Sequence, residues 1–154
     1  MKLFLFFSLF IATVSNKFSI KVVHTPVYPS VPLCPFHNII ILQENDFENL
    51  NHEKNNVFAI DFSPAEDIGS PNIILKLLLG KNIQGKIRVF HFPKELYETF
   101  IREPLPDNPS PENFKNLKNI DPYLASIIQS WGSTFHIYNR NCRHFGQFLQ
   151  RYYF

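Results

Sequence analysis

Apolar residues recur along this chain in two rhythms, and the rhythm switches at proline, glycine or asparagine. Phe18-Ser19-Ile20-Lys21-Val22-Val23 alternates and is rich in β-branched residues, which predicts a strand. Pro26, Pro29, Pro32 and Pro35 then make an extended segment that cannot be helical. His37 to Leu42 carries four consecutive aliphatic residues behind His37 and Asn38, the pattern of a buried strand. Gln43 to Asn56 is polar and Asn-rich and reads as a connecting loop. Val57-Phe58-Ala59-Ile60-Asp61-Phe62 is the returning strand, ended by Ser63-Pro64.

Helical signals follow. Ser70-Pro71 places a capping hydroxyl before a proline at the first helical position, so a helix is expected to Leu79, stopped by Gly80. Lys86 to Phe92 alternates charge with apolarity, the pattern of a half-exposed strand. Pro93 is expected to open a short helix to about Arg102, and the four prolines between Pro104 and Pro111 mark a loop. Ser110-Pro111 and Asp121-Pro122 repeat the capping signal and predict two further helices, the second ending near Gly132. Thr134 to Tyr138 reads as a last strand leading into a helix that starts at Cys142, with Phe145, Phe148 and Leu149 at helical spacing. There are no internal repeats, and the class is α+β: an antiparallel sheet with packed helices.

With 154 residues, 45% of them hydrophobic, the chain can bury one sizeable core, so residues 16–154 are expected to form a single domain. Seventeen Phe and six Tyr are too many aromatic side chains for a disordered chain. A net charge of +2 without blocks of like charge implies no nucleic-acid partner. Residues 1–15 carry Lys2, an apolar run from Leu3 to Val14 and small residues at Thr13-Val14-Ser15, the pattern of a secretory signal peptide. That run is shorter than the ~20 residues needed to span a bilayer, so cleavage and a secreted or secretory-lumen location are expected. In such a compartment the two cysteines, Cys34 and Cys142, are candidates for a disulfide, which would remove the thiol from chemistry.

If that thiol is free, Cys142 is the natural nucleophile, because a thiolate at a helix N-terminus is favoured by the helix dipole. His144 is a poor base for it, since two residues along a helix point about 200° apart. His37, at a strand start, is the best remaining histidine. A catalytic imidazole needs a polar group to fix its tautomer. Asp61 is the candidate, since a carboxylate within an apolar strand is costly unless paired.

His37-Asn38-Ile39-Ile40-Ile41-Leu42, Ile60-Asp61-Phe62-Ser63-Pro64 and Asn141-Cys142-Arg143-His144-Phe145 together resemble the circularly permuted papain-like families. The closest in motif are lecithin:retinol acyltransferase and its phospholipase/acyltransferase relatives, within the NlpC-like superfamily of thiol hydrolases and acyltransferases. The resemblance spans roughly Val22 to Phe154, with its specific part in those three islands. It implies a permuted papain-like fold, with Cys142 as nucleophile, His37 as general base and Asp61 in an orienting role. Asp61 falls where the acyltransferase relatives have a second His, so that match is one of role. The pattern also resembles a eukaryotic family of small membrane proteins of unknown activity, which has a similar Pro-rich approach and an Asp-Phe-x-x-Pro segment. Unlike many of these relatives, this chain is expected to lack a C-terminal membrane helix.

The expected activity is hydrolysis or acyl transfer at an amide, ester or thioester through a thioacyl intermediate, without a metal or organic cofactor. The acyl substrate is a small molecule, a lipid or a peptide. Asn141, Arg143 and Trp131 are the candidate binding residues, Trp131 being equally a cap on the core. The apolar Ile73 to Leu79 stretch reads as a core helix, with a lipid-facing lip and peripheral membrane contact as the alternative. Three rival readings remain open: a non-catalytic interaction domain held by a Cys34–Cys142 disulfide, a zinc site from Cys34, His37, Cys142 and His144, and a pseudoenzyme or binding module that keeps the fold and motif without turnover.

Overall fold

A computed structural model describes residues 17–25, 37–45, 56–96 and 108–153. The expected signal segment, Cys34, the Pro-rich approach and most of the two expected loops lie outside these residues. The class is α+β, as the two apolar rhythms predict. Five antiparallel strands run in sheet order β1 (Phe18–Thr25), β2 (His37–Glu44), β3 (Asn56–Pro64), β4 (Ile83–Pro93) and β5 (Thr134–Phe135). Four helices accompany them: α1 (Pro71–Leu78), α2 (Pro111–Ile120), α3 (Pro122–Ser130) and α4 (Cys142–Tyr153).

Sequential neighbours in the chain are neighbours in the sheet, although α1 lies between β3 and β4 and two helices, α2 and α3, lie between β4 and β5. Ile40 faces Ile60, and Ile60 faces Val89, so alternate residues of three strands share a side. One side carries Ile40, Leu42, Phe58, Ile60, Phe62 and Val89 into the main core with residues from all four helices. The other side buries Ile39, Ile41, Val57, Ala59, Phe90 and Phe92 in a second cluster. Burial on both faces explains why β2 and β3 read as near-continuous apolar runs rather than as alternation.

Helix α4 lays Phe145, Leu149 and Tyr153 into the main core and packs chiefly on β2 and β3. Phe62 is the hub of that contact, touching Trp131, Phe135 and Phe145 ring to ring. Gly85 lies directly against it: a Cβ there would stand 2.5 Å from Phe62 Cζ and 3.0 Å from Phe135 Cβ. The α2–α3 junction is held by Asp121, whose Oδ1 accepts from Leu124 N at 2.9 Å and whose Oδ2 accepts from the Tyr153 hydroxyl at 2.5 Å.

Several boundaries differ from expectation. Pro93 is the last residue of β4 and a 3-10 turn, Lys94–Leu96, follows it directly, while the rest of the helix expected to about Arg102 lies outside the described residues. Proline is tolerated there because it sits at the strand's last position, where no further ladder bond is required. Strand β5 is two residues long, because His136 and Arg140 exchange backbone hydrogen bonds of 3.0 Å and turn the chain back. Ser70 stands at the start of α1 in extended backbone, but its hydroxyl makes no capping bond. Ser110 does cap α2, accepting from Glu112 N at 3.3 Å. No helix among the described residues is long and apolar enough to cross a membrane.

Candidate functional site

His37 begins β2, Asp61 lies near the end of β3, and both project on the same face, as diagonal neighbours across the Ile40–Ile60 register. Asp61 is fully buried, and its Oδ2 is 2.7 Å from His37 Nε2. Opposite Asp61 on β4 stands Arg88, the residue paired with it in register. Its guanidinium forks onto the carboxylate, Nε donating to Oδ1 at 2.9 Å and Nη2 to Oδ2. One buried carboxylate therefore holds a fixed cation on one side and an imidazole on the other.

The imidazole is hydrogen-bonded to the Cys142 thiol as well. With Nε2 on Asp61, Nδ1 is the nitrogen left to face sulfur. Cys142 is the first residue of α4, is 8% exposed and carries a free thiol. The Asn38 amide approaches the same sulfur, N to Sγ 3.5 Å. His37 and Cys142 thus meet where the end of a strand abuts the start of a helix, although they are far apart in the chain.

Asn141 governs how that helix begins. Its Oδ1 accepts from the amides of Arg143 at 3.0 Å and His144 at 3.3 Å, the N-cap role, while its Nδ2 donates to Ile137 O at 2.6 Å. His144 Nδ1 sits 2.9 Å from the same Oδ1, so this histidine belongs to the cap. With those first-turn amides and that of Phe145 satisfied, the Cys142 N–H is left without a partner among the described residues.

The electrostatics follow from this packing. Burial opposes charge on His37, but the hydrogen bonds from Asp61 and Cys142 outweigh it and raise its pKa from 6.5 to about 9. Burial likewise pushes Asp61 up, yet His37 and Arg88 together hold it below the usual carboxylate value. Burial also pushes the Cys142 thiol up, and the His37 hydrogen bond and charge, aided by the Asn38 and Arg143 amides, bring it below its ordinary value. All three directions favour an imidazolium–thiolate pair at neutral pH.

The other expected binding residues stand apart from this cluster. Arg143 is exposed, next to Cys142 in sequence. Trp131 is 7% exposed in the main core, packed on Phe62, Phe145 and Phe148, with the Arg140 guanidinium 4.2 Å above its ring and hydrogen-bonded to its carbonyl. Arg88 is the site residue that sequence reasoning missed. The signal was the cost of burying Asp61, which calls for a cation, but choosing Arg88 required the β3–β4 register. Of the rival zinc set, Cys34 lies outside the described residues, and no group of three or more metal-ligating side chains suited to an ion occurs among them. Compared with known proteins, the chain matches no family model, no curated protein and no solved structure.

Proposed function

We propose that this chain is a thiol-dependent hydrolase or acyltransferase of permuted papain-like type, working in the secretory pathway. One observation carries the reading: the His37 imidazole is hydrogen-bonded to a free, buried Cys142 thiol and to a buried carboxylate at the same time. That is the nucleophile–base–orienter arrangement of covalent acyl chemistry, recognised by geometry rather than by chain order.

In this reading His37 accepts the Cys142 proton at Nδ1, and the thiolate attacks the carbonyl carbon of an amide, ester or thioester. The carbonyl electron pair moves onto oxygen, where the Cys142 N–H stabilises the oxyanion. Collapse expels the amine, alcohol or thiol, which takes its proton from the His37 imidazolium, and leaves a thioester on Cys142. Water or an acceptor nucleophile, deprotonated by His37, attacks that thioester and restores the thiol. Asp61 keeps Nε2 protonated and the ring in plane, and Arg88 keeps Asp61 ionised throughout.

The test is iodoacetamide labelling of non-reduced protein across pH, read at each cysteine by peptide mass spectrometry. Cys142 is expected to label with an apparent pKa well below the ~8.5 of a free thiol, and to lose this in His37→Ala. Labelling only after reduction would place Cys142 in a disulfide and refute the proposal, and so would an ordinary thiol pKa.

A further inference from the structure

Helix α1 is strongly apolar, its polar side chains being Asn72 and Lys76. It is not fully buried. Ile73 and Leu77 enter the main core, but Leu75, Leu78 and Leu79 lie 55%, 45% and 61% exposed at i, i+3 and i+4 spacing. Tyr138, 66% exposed, joins them from the turn that delivers Cys142. Its ring packs on Gly80, 3.1 Å from where a Cβ would stand, and its hydroxyl donates to Leu78 O at 3.4 Å. Four large apolar side chains therefore form one raised patch, assembled from α1 and from the segment four residues ahead of the nucleophile. Gly80 has φ +60°, which ends α1 sharply and lets Tyr138 close over it.

The two stretches of chain that build this patch carry basic charge alone. From Ile68 to Lys94 the chain holds no Asp or Glu, and from Pro122 to Phe154 it again holds none. The patch is built wholly from these two acid-free stretches. Lys76 and Lys81 flank the leucines, and Arg140 and Arg143 flank the Tyr138 turn on the side of Cys142.

We propose that this patch docks the protein on an anionic membrane surface. Leu75, Leu78 and Leu79 enter the acyl boundary, Tyr138 sits at headgroup level, and Lys76 and Lys81 meet lipid phosphates. Leucine flanked by lysine, with an aromatic bearing a polar tip, is the chemistry that holds helices in an interface. A second copy of the chain fits less well, because a two-fold contact through the patch would set Lys76 and Lys81 against their own counterparts. The proposal stands apart from the thiol chemistry.

The experiment is flotation of the full chain with vesicles of phosphatidylcholine alone, and with about one third phosphatidylserine. Wild type is compared with Leu75→Gln/Leu79→Gln and with Lys76→Gln/Lys81→Gln, all sharing one N-terminus, so differences report the patch alone. Circular dichroism checks the fold, and Cys142 labelling checks the site in solution. Partitioning to anionic vesicles is expected to fall about tenfold or more in the leucine variant. In the lysine variant the preference for phosphatidylserine is expected to vanish. Labelling should be unchanged in both. Equal vesicle binding by wild type and leucine variant would overturn the proposal, as would a wild-type dimer that these leucines alone disperse. Vesicle binding with an inert thiol would sink the enzyme reading and leave the docking surface. An activated thiol without vesicle binding would do the reverse.

Discussion

Asp61→Asn isolates what the buried carboxylate does. In the wild type Asp61 is wholly enclosed between two cationic partners, His37 at 2.7 Å and Arg88 at 2.9 Å. The His37 pKa stands at about 9 against 6.5 for the free side chain, even though burial works against the charge. At roughly 1.4 kcal/mol per pKa unit, its partners hold the imidazolium by about 3 kcal/mol net of that burial. An amide keeps the shape and removes the charge, so His37 should fall to its free value or below. The equilibrium constant for proton transfer from Cys142 to His37 should then fall about a hundredfold or more, and the rate of Cys142 alkylation at neutral pH should fall with it. Leaving Arg88 opposite a neutral amide is expected to cost ~3–5 kcal/mol of stability, since it strands a largely buried charge. The double variant Asp61→Asn/Arg88→Met removes that charge, so it should recover stability while the thiol stays unreactive. The assay is the pH–rate profile of iodoacetamide labelling on protein shown to be folded by near-UV circular dichroism. A folded Asp61→Asn protein with the wild-type profile would refute the reasoning, because it would mean that the carboxylate does not set the basicity of His37.

Other outcomes follow from the same structure. Gly85→Ala would force a methyl group into the Phe62 ring and is expected to destabilise by ~1–3 kcal/mol, read as a lower thermal midpoint; an unchanged midpoint would show that the ring has room to move. Asp121→Ala removes both a helix cap and the partner of the Tyr153 hydroxyl, for about 2–3 kcal/mol by urea denaturation, whereas Tyr153→Phe should cost about 1. The pH dependence of stability separates the two members of the pair. The raised His37 contributes stability that is complete below pH 6.5 and lost as pH rises toward about 9. The depressed Cys142 contributes stability gained as pH rises from its folded pKa toward 9.0. Above the folded pKa of Cys142 and up to pH 9 these slopes oppose one another, so the urea midpoint of the wild type should depend on pH less steeply there than His37 alone would make it. In Cys142→Ala the His37 slope is unopposed and stability should fall with pH; the same slope in both proteins would contradict the paired titration.

Much of this site was legible because polar residues inside apolar runs are conspicuous. Asp61 lies between Ile60 and Phe62, His37 heads a run of aliphatics, and Cys142 precedes Phe145 and Leu149 at helical spacing. Each implies a partner, and proline and glycine mark which element each begins or ends. What the sequence could not show depends on register and on three-dimensional context. Lys86-Ile87-Arg88-Val89 alternates like a solvent-facing strand, yet β4 pairs Arg88 with Asp61 and draws its guanidinium inward. Ile73 to Leu79 reads as core by composition, but the number of helix faces that find a neighbour is a tertiary matter, and α1 finds one for only part of its surface. Pro93 ends the long β3–β4 ladder, paired with Asn56 at its last rung, and the helical turn begins one residue later than its start signal implied.

The order in which the site residues occur along the chain has a consequence for biosynthesis. His37, Asp61 and Arg88 arrive on three successive strands joined as a meander, whose contacts are comparatively short in sequence and can form early. Cys142 arrives on the final helix and reaches the base only when α4 docks across β2 and β3, closing a loop of more than a hundred residues. A nascent or partly folded chain therefore holds a charged half-site and an ordinary thiol. On the proposed reading, docking of α4 against β2 and β3 is what activates the cysteine, so thiol reactivity would report that this long-range contact has formed.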